Sequence, residues 1–154
     1  MSSLLDQVTA ALKELDWPYT LLDSGRGVRL ALQTERGVLE GVVTLYDDRK
    51  FIVFSCRSPV RAPAEKQAAV ADLLNRLNYA LLIGNFEMDP RDGEIYTRTS
   101  VDVEFVEVNS KFINNLIMAG FRIMDMHLPV LMNVLFGDLS PEEAIARAQA
   151  QSQN

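Results

Sequence analysis

The segment from Asn109 to Phe136 constrains the fold more than any other stretch of this chain. On a helical wheel at about 100° per residue, Lys111, Asn115, Arg122, Asp125, Pro129 and Asn133 fall within about 40° of one direction, with Asn114 just outside. The rest of the circumference, well over half, is apolar. A helix lying on a sheet needs an apolar stripe only about 100° wide. This helix therefore calls for a sheet and a second apolar surface, either another helix of the same chain or a second protomer. Met118 sits inside the polar stripe, and Phe121, Met126 and Met132 border it. Adaptable methionines on a rim suit protein recognition, so these four residues form the candidate partner or dimer surface. The plainer alternative is that they pack in the core or beneath the terminal helix. Pro129 falls in the polar stripe, where water can satisfy the carbonyl it frees near Asp125. The sequence leaves open whether Pro129 kinks the helix or ends it at Leu128.

The remaining elements follow from periodicity and punctuation. Residues 3–15 read as an amphipathic helix, with Leu4, Leu5, Val8, Ala11, Leu12 and Leu15 at helical spacing and Ser3 placed to cap it. Trp17-Pro18 stops that helix. Residues 19–57 read as an antiparallel meander. Tyr19–Asp23 is a short strand, and Ser24-Gly25-Arg26-Gly27 is a turn. Val28, Leu30 and Leu32 then alternate with polar neighbours, and Leu39–Tyr46 and Phe51–Arg57 complete the block. Residues 63–83 read as a helix with Pro63 at its start. Residues 85–103 read as a hairpin around the turn Asp89-Pro90-Arg91-Asp92-Gly93. After the long helix at 109–136, Gly137 fits a stop and Ser140-Pro141-Glu142-Glu143 forms a capping box. That box opens a short helix at 141–149, with 150–154 as a frayed tail. The expected class is α+β: a single antiparallel sheet with helices packed on one face, in one domain.

Composition narrows the functional classes. A chain of 154 residues, 48% hydrophobic and 23% charged, holds a full core without staples. The single cysteine, Cys56, excludes an intramolecular disulfide and multi-cysteine metal sites, and the single histidine, His127, excludes a two-histidine zinc motif. No metal and no cofactor is expected. The net charge of −6 argues against nucleic acid. The first residues carry no basic n-region, and no apolar run approaches the roughly 20 residues of a membrane span, so a cytoplasmic location off the membrane is expected.

Each chemically suggestive residue has a plainer explanation beside it. His127 lies opposite the polar stripe; it could serve as a base or a pH sensor, but a satisfied core histidine is simpler. Cys56 stands beside Arg57, a cation that could lower its pKa, yet a lone cysteine in a Val/Phe strand is usually a small core residue. Ser24–Gly27 lacks the Walker pattern and sits between strands. Asp89–Glu94 misplaces the acids and glycine that a calcium loop needs. On the strand 94–103, Tyr96, Arg98, Ser100 and Asp102 share one face while Ile95, Thr97, Thr99, Val101 and Val103 share the other. The first face is a candidate ligand face for a small-molecule sensor or enzyme; its plainer reading is the solvated side of a sheet. Asp102, Glu104 and Glu107 form an acidic end, most simply a solvated edge.

The stretch IGNFEMDPRDGEIYTRTSVDVE, followed by a helix containing MDMHLPVLMNVLFG, resembles the YbjN-like family. That family carries the label of bacterial sensory transduction regulator and is described as related in fold to type III secretion chaperones. The hairpin and the Pro-containing helix carry the match; the N-terminal half agrees in its order of elements. The resemblance implies an α-β-β-β-α-β-β-α chaperone-like fold, here with an added short strand in the first block and a helix after Ser140. It implies a cytoplasmic, often dimeric, non-enzymatic module that binds a protein client or regulates one. It carries no catalytic residues.

Overall fold

A computed structural model describes residues 2–153. The elements run α1 (Leu4–Glu14), β1 (Thr20–Leu21), β2 (Gly27–Thr34), β3 (Gly37–Tyr46), β4 (Phe51–Arg57), α2 (Gln67–Ala80, entered through a short 3-10 turn), β5 (Asn85–Met88), β6 (Ile95–Asp102), α3 (Ser110–Phe136) and α4 (Pro141–Ser152). The six strands form one antiparallel sheet in the order β1-β2-β3-β4-β6-β5. The meander supplies the first four strands, and the hairpin adds β6 against β4, with β5 at the edge.

Alternation divides the sheet into two faces. Leu30, Val43, Phe54, Cys56, Ile95, Thr97 and Thr99 point inward and are buried. The helices cover that face, and α3 lies across β3, β4 and β6. The apolar arc of α3 beyond the sheet is filled by the chain's own helices, α1 on one flank and α2 with α4 on the other. The arc itself therefore does not require a second protomer.

Phe54 sets how closely α3 approaches the sheet. A side chain at Gly120 would place its Cβ 2.5 Å from the Phe54 ring, and one at Gly41 would also overlap that ring. Two glycines from different elements thus make the slot that Phe54 occupies. Phe121 meets Phe54 edge-to-face at 4.9 Å and stacks on Trp17 at 6.1 Å. Thr97 and Thr99 fasten the helix by donating hydroxyl bonds to the carbonyls of Gly120 and Leu116, at 2.9 and 2.8 Å.

The helix ends are tied by short polar side chains. Ser3 and Asp6 form a reciprocal cap on α1, and Asp47 in the β3–β4 turn accepts from the Leu4 N–H at 3.0 Å. Near the end of α2, Asn78 partners the outer edge of β5: its Oδ1 accepts from the Phe86 N–H at 2.6 Å and its Nδ2 donates to the Phe86 carbonyl at 3.0 Å. Both Phe86 groups face away from β6, so the amide does what a further strand would do.

Several boundaries differ from the sequence reading. The expected helix at 63–83 stops at Ala80. Leu81 is extended and Gly84 adopts φ +72° as the chain turns inward to begin β5. A Cβ at Gly84 would stand 2.9 Å from the Arg98 carbonyl, so close packing as well as φ calls for glycine there. The first strand shrinks to Thr20–Leu21. The terminal helix runs to Ser152, past 149, because its Ala, Arg and Gln residues all favour helix. The expected tail therefore keeps only Gln153 among the described residues, and Asn154 lies outside them. Pro129 neither ends nor interrupts α3.

In an exposed helix, Gly→Ala gains about 1 kcal/mol. At Gly120 the methyl collides with Phe54, and overpacking of this kind costs about 1–3 kcal/mol. Urea unfolding of Gly120→Ala is expected to show a net loss of stability; an equal or higher midpoint would show that the slot is not tight.

Candidate functional site

The four candidate partner residues on α3 separate into three environments. Phe121 is fully buried between Trp17 and Phe54, so its expected place on a binding rim is corrected: it belongs to the core. Met118 is half-buried. Met126 is 67% exposed and Met132 38% exposed. The intervening turns place Met118 and Met132 on one side of the helix and Met126 on another, about 80° from Met118. They do not form one continuous patch.

Met126 borders a groove of about 910 Å³. The end of α2 supplies Arg76, Leu77, Ala80 and Leu81. The middle of α3 supplies Met126, His127, Pro129 and Val130, and α4 supplies Glu142, Ile145, Ala148 and Gln149. The size lies within the usual range for a ligand cleft. Its lining is mainly apolar, and its charged members are already paired. Arg76 donates from Nε to Asp72 at 3.0 Å and from its terminal nitrogen to Glu142 at 2.8 Å. The hydrogen bond it donates to Asp72, with the charges of Asp72 and Glu142 adding, holds the guanidinium proton more firmly than usual. His127 lines the groove with Nδ1–H donated to the Ile123 carbonyl at 2.8 Å and its ring edge-on to Phe86 at 5.6 Å. Its Nδ1 is satisfied as the plainer sequence reading expects, but the ring is half-buried at the groove and is not part of the core. Pro129, which has no N–H to donate, lies within the continuous helix beside this groove.

Tyr96, Arg98, Ser100 and Asp102 do share the outer face of β6, but they do not converge. Arg98 and Ser100 line a shallow concavity of about 420 Å³ with Thr44, Tyr46, Arg49, Phe51, Val53 and Ser55. Arg98 is tied to Glu87 at 2.8 Å. Tyr96 instead hydrogen-bonds Glu94, which raises its phenol pKa, and Glu94 also meets Arg57 and Arg61. Asp102 accepts the Glu104 N–H at 2.9 Å and shapes the turn after β6. The charges of this face mostly neutralise one another.

Asp125, in the polar stripe, binds Arg36 of the β2–β3 turn at 3.2 Å, and its second oxygen is shielded from solvent without a partner. The residues that organise α3, namely Gly41, Gly120, Thr97, Thr99 and Asn78, were not singled out by sequence reasoning. The one available signal was the pair of threonines on the apolar face of β6. Among the described residues, no group of three or more His, Cys, Asp or Glu is placed to hold a metal ion. No described helix is long and apolar enough to cross a membrane.

The sequence profile of the YbjN family, described as "Putative bacterial sensory transduction regulator", matches residues 4–132. The chain belongs to the YbjN family. The crystal structure of YbjN from E. coli, titled as that of "a putative transcription regulator", is similar to it at 18% identity with a TM-score of 0.57, over 88% of this chain and 93% of that one. At that identity the likeness establishes the YbjN fold alone. The ExsC–ExsE complex also resembles it, at 12% identity and a TM-score of 0.49, over 87% of this chain and 97% of that one. No curated protein matches the sequence. The YbjN profile includes the hairpin and most of α3 but stops before α4.

Burial pushes the Cys56 thiol up to about 12, with a hydrogen bond from Thr97 opposing and the Asp125 charge adding. Such a thiol stays protonated and shielded. A disulfide reagent at pH 8 is expected to leave folded protein unmodified and to label one thiol after denaturation. Above the ordinary thiol value of 9.0 the unfolded chain loses its proton first, so this group lowers stability as pH rises from about 9 toward 12. Rapid labelling of the native protein would contradict the burial.

Proposed function

We propose that this YbjN-family chain is a non-enzymatic protein-interaction module, chaperone-like or regulatory, whose working surface is the groove between α2, α3 and α4. One observation carries the reading: this groove of about 910 Å³ is apolar in character, and a 67% exposed methionine stands at its border. Soft, adaptable side chains beside an apolar groove suit a protein client. The side chains with latent chemistry support the same view. Cys56 is buried as a thiol, His127 spends Nδ1 on its own helix, and Arg98 is held by Glu87. In this reading the partner is a protein client or a second copy of the chain, and the setting is cytoplasmic.

A photo-crosslinking residue placed at Met126, with one at exposed Lys111 as the control, tests the proposal in native cell extract. The expected result is a discrete adduct from position 126 alone. A self-adduct near twice 17.3 kDa would make the partner a second copy. Equal labelling from both positions, or none from either, would overturn the reading.

A further inference from the structure

The helix α4 occupies the α2–α3 groove without filling it. We propose that α4 is a displaceable cover, standing where the amphipathic helix of a partner protein with an acidic first turn would lie. The proposal rests on the groove being the working surface and adds its regulation and the kind of partner it takes.

Four observations carry it. Among the twelve residues of α4 only Ala144 is buried, whereas the eleven of α1 bury Leu4, Val8, Ala11 and Leu12. The apolar residues it turns toward the groove are mostly small, Ala146 and Ala148 beside Ile145, and about 910 Å³ stays open alongside them. Beyond Ala144, Ile145 and Ala148 are only partly buried against the core, and the polar attachments are surface ion pairs: Glu142 to Arg76 at 2.8 Å and Asp138 to Lys66 at 2.7 Å, with the two carboxylates 70% and 88% exposed. Pairs of that exposure are weak and screened by salt. Finally, Gly137 and Asp138, the latter at φ +52°, form a turn that separates α4 from the end of α3. The sheet makes no use of α4, and the family match at residues 4–132 ends before it.

The occupant's chemistry can be read from α4 itself. Lys66 and Arg76 on the α2 side meet Asp138 and Glu142 at the start of the helix, and Ala144, Ile145 and Ala148 meet the apolar floor. A competing helix needs acids in its first turn and apolar residues at the same i, i+1, i+4 spacing. Side chains larger than alanine there would fill the space α4 leaves, which lets a partner displace a tethered cover.

Hydrogen exchange on the full chain tests the cover first. Amides of α4 are expected to exchange at least tenfold faster than those at 116–131 of α3, and faster still when salt is raised. Equal, salt-independent protection of the two helices would overturn the proposal. Full-length Ala144→Asp, which puts a charge at the one buried position of α4, then tests the groove. A labelled peptide of residues 139–153 is expected to bind this variant at least tenfold more tightly than wild type, and the peptide with Glu142→Lys is expected to lose that binding. Failure of the peptide to bind a folded Ala144→Asp protein, or unfolding of the whole sheet in that variant, would count against the cover. A wild-type dimer that Ala144→Asp dissolves would give the groove to a second copy's α4 and overturn the partner-helix assignment. An adduct at Met126 with an α4 as protected as α3 would leave the interaction module standing and remove only the cover. A mobile α4 with no adduct would remove the working surface and the partner helix with it.

Discussion

The structure depends on how closely α3 can lie against the sheet, and a single ring decides that distance. Phe54 rises from β4 into a space where neither Gly41 nor Gly120 carries a side chain. With the ring seated there, α3 comes near enough for Thr97 and Thr99 to donate to carbonyls of its Leu116–Gly120 turn. Those carbonyls already accept within the helix, so the hydroxyls use their second lone pairs and no buried oxygen is stranded. Phe121 then fills the gap between Phe54 and Trp17. A bulkier residue at either glycine would lift the helix and break the two threonine contacts together, because a close-packed interior transmits such a displacement.

The groove follows from that seating. Once α3 is fixed over β3, β4 and β6, its far half passes the end of α2, and Pro129 lies beside the gap. The chain leaves α2 at Ala80 because Asn78 is committed to the edge of β5 and Gly84 must pack against Arg98 and Ile123. This early exit leaves Tyr79 and Leu82 almost fully exposed and opens the space that α4 only partly covers. A helix continuing to residue 83 would have closed part of the groove.

Much of the architecture could be read along the chain. The alternation of β2, the Asp92-Gly93 turn, the capping boxes at Ser3 and Ser140, and the long apolar arc of α3 are local patterns, and each produced its element. The candidate surface was harder to read. A wheel places Phe121 at the border of the polar stripe, yet Trp17 arrives from a distant loop and encloses it. The same wheel cannot tell that Met126 borders a groove while Met132 does not, since the answer depends on where α2 and α4 lie. On β6 the period-2 pattern sorted the two faces correctly, but it could not show that Arg98 is taken by Glu87 from the neighbouring strand.

By itself the sequence determined the class of fold, the order of its elements and the need for a surface beyond the sheet to cover α3. Those properties rest on periodicity and turn chemistry, which act over a few residues. Only the tertiary structure decided that α1, α2 and α4 provide that surface, that Asn78 closes the edge of β5, and that an apolar groove remains beside α4. These depend on which side chains meet across long separations in sequence, where volume and hydrogen-bond geometry choose among partners that local pattern treats alike.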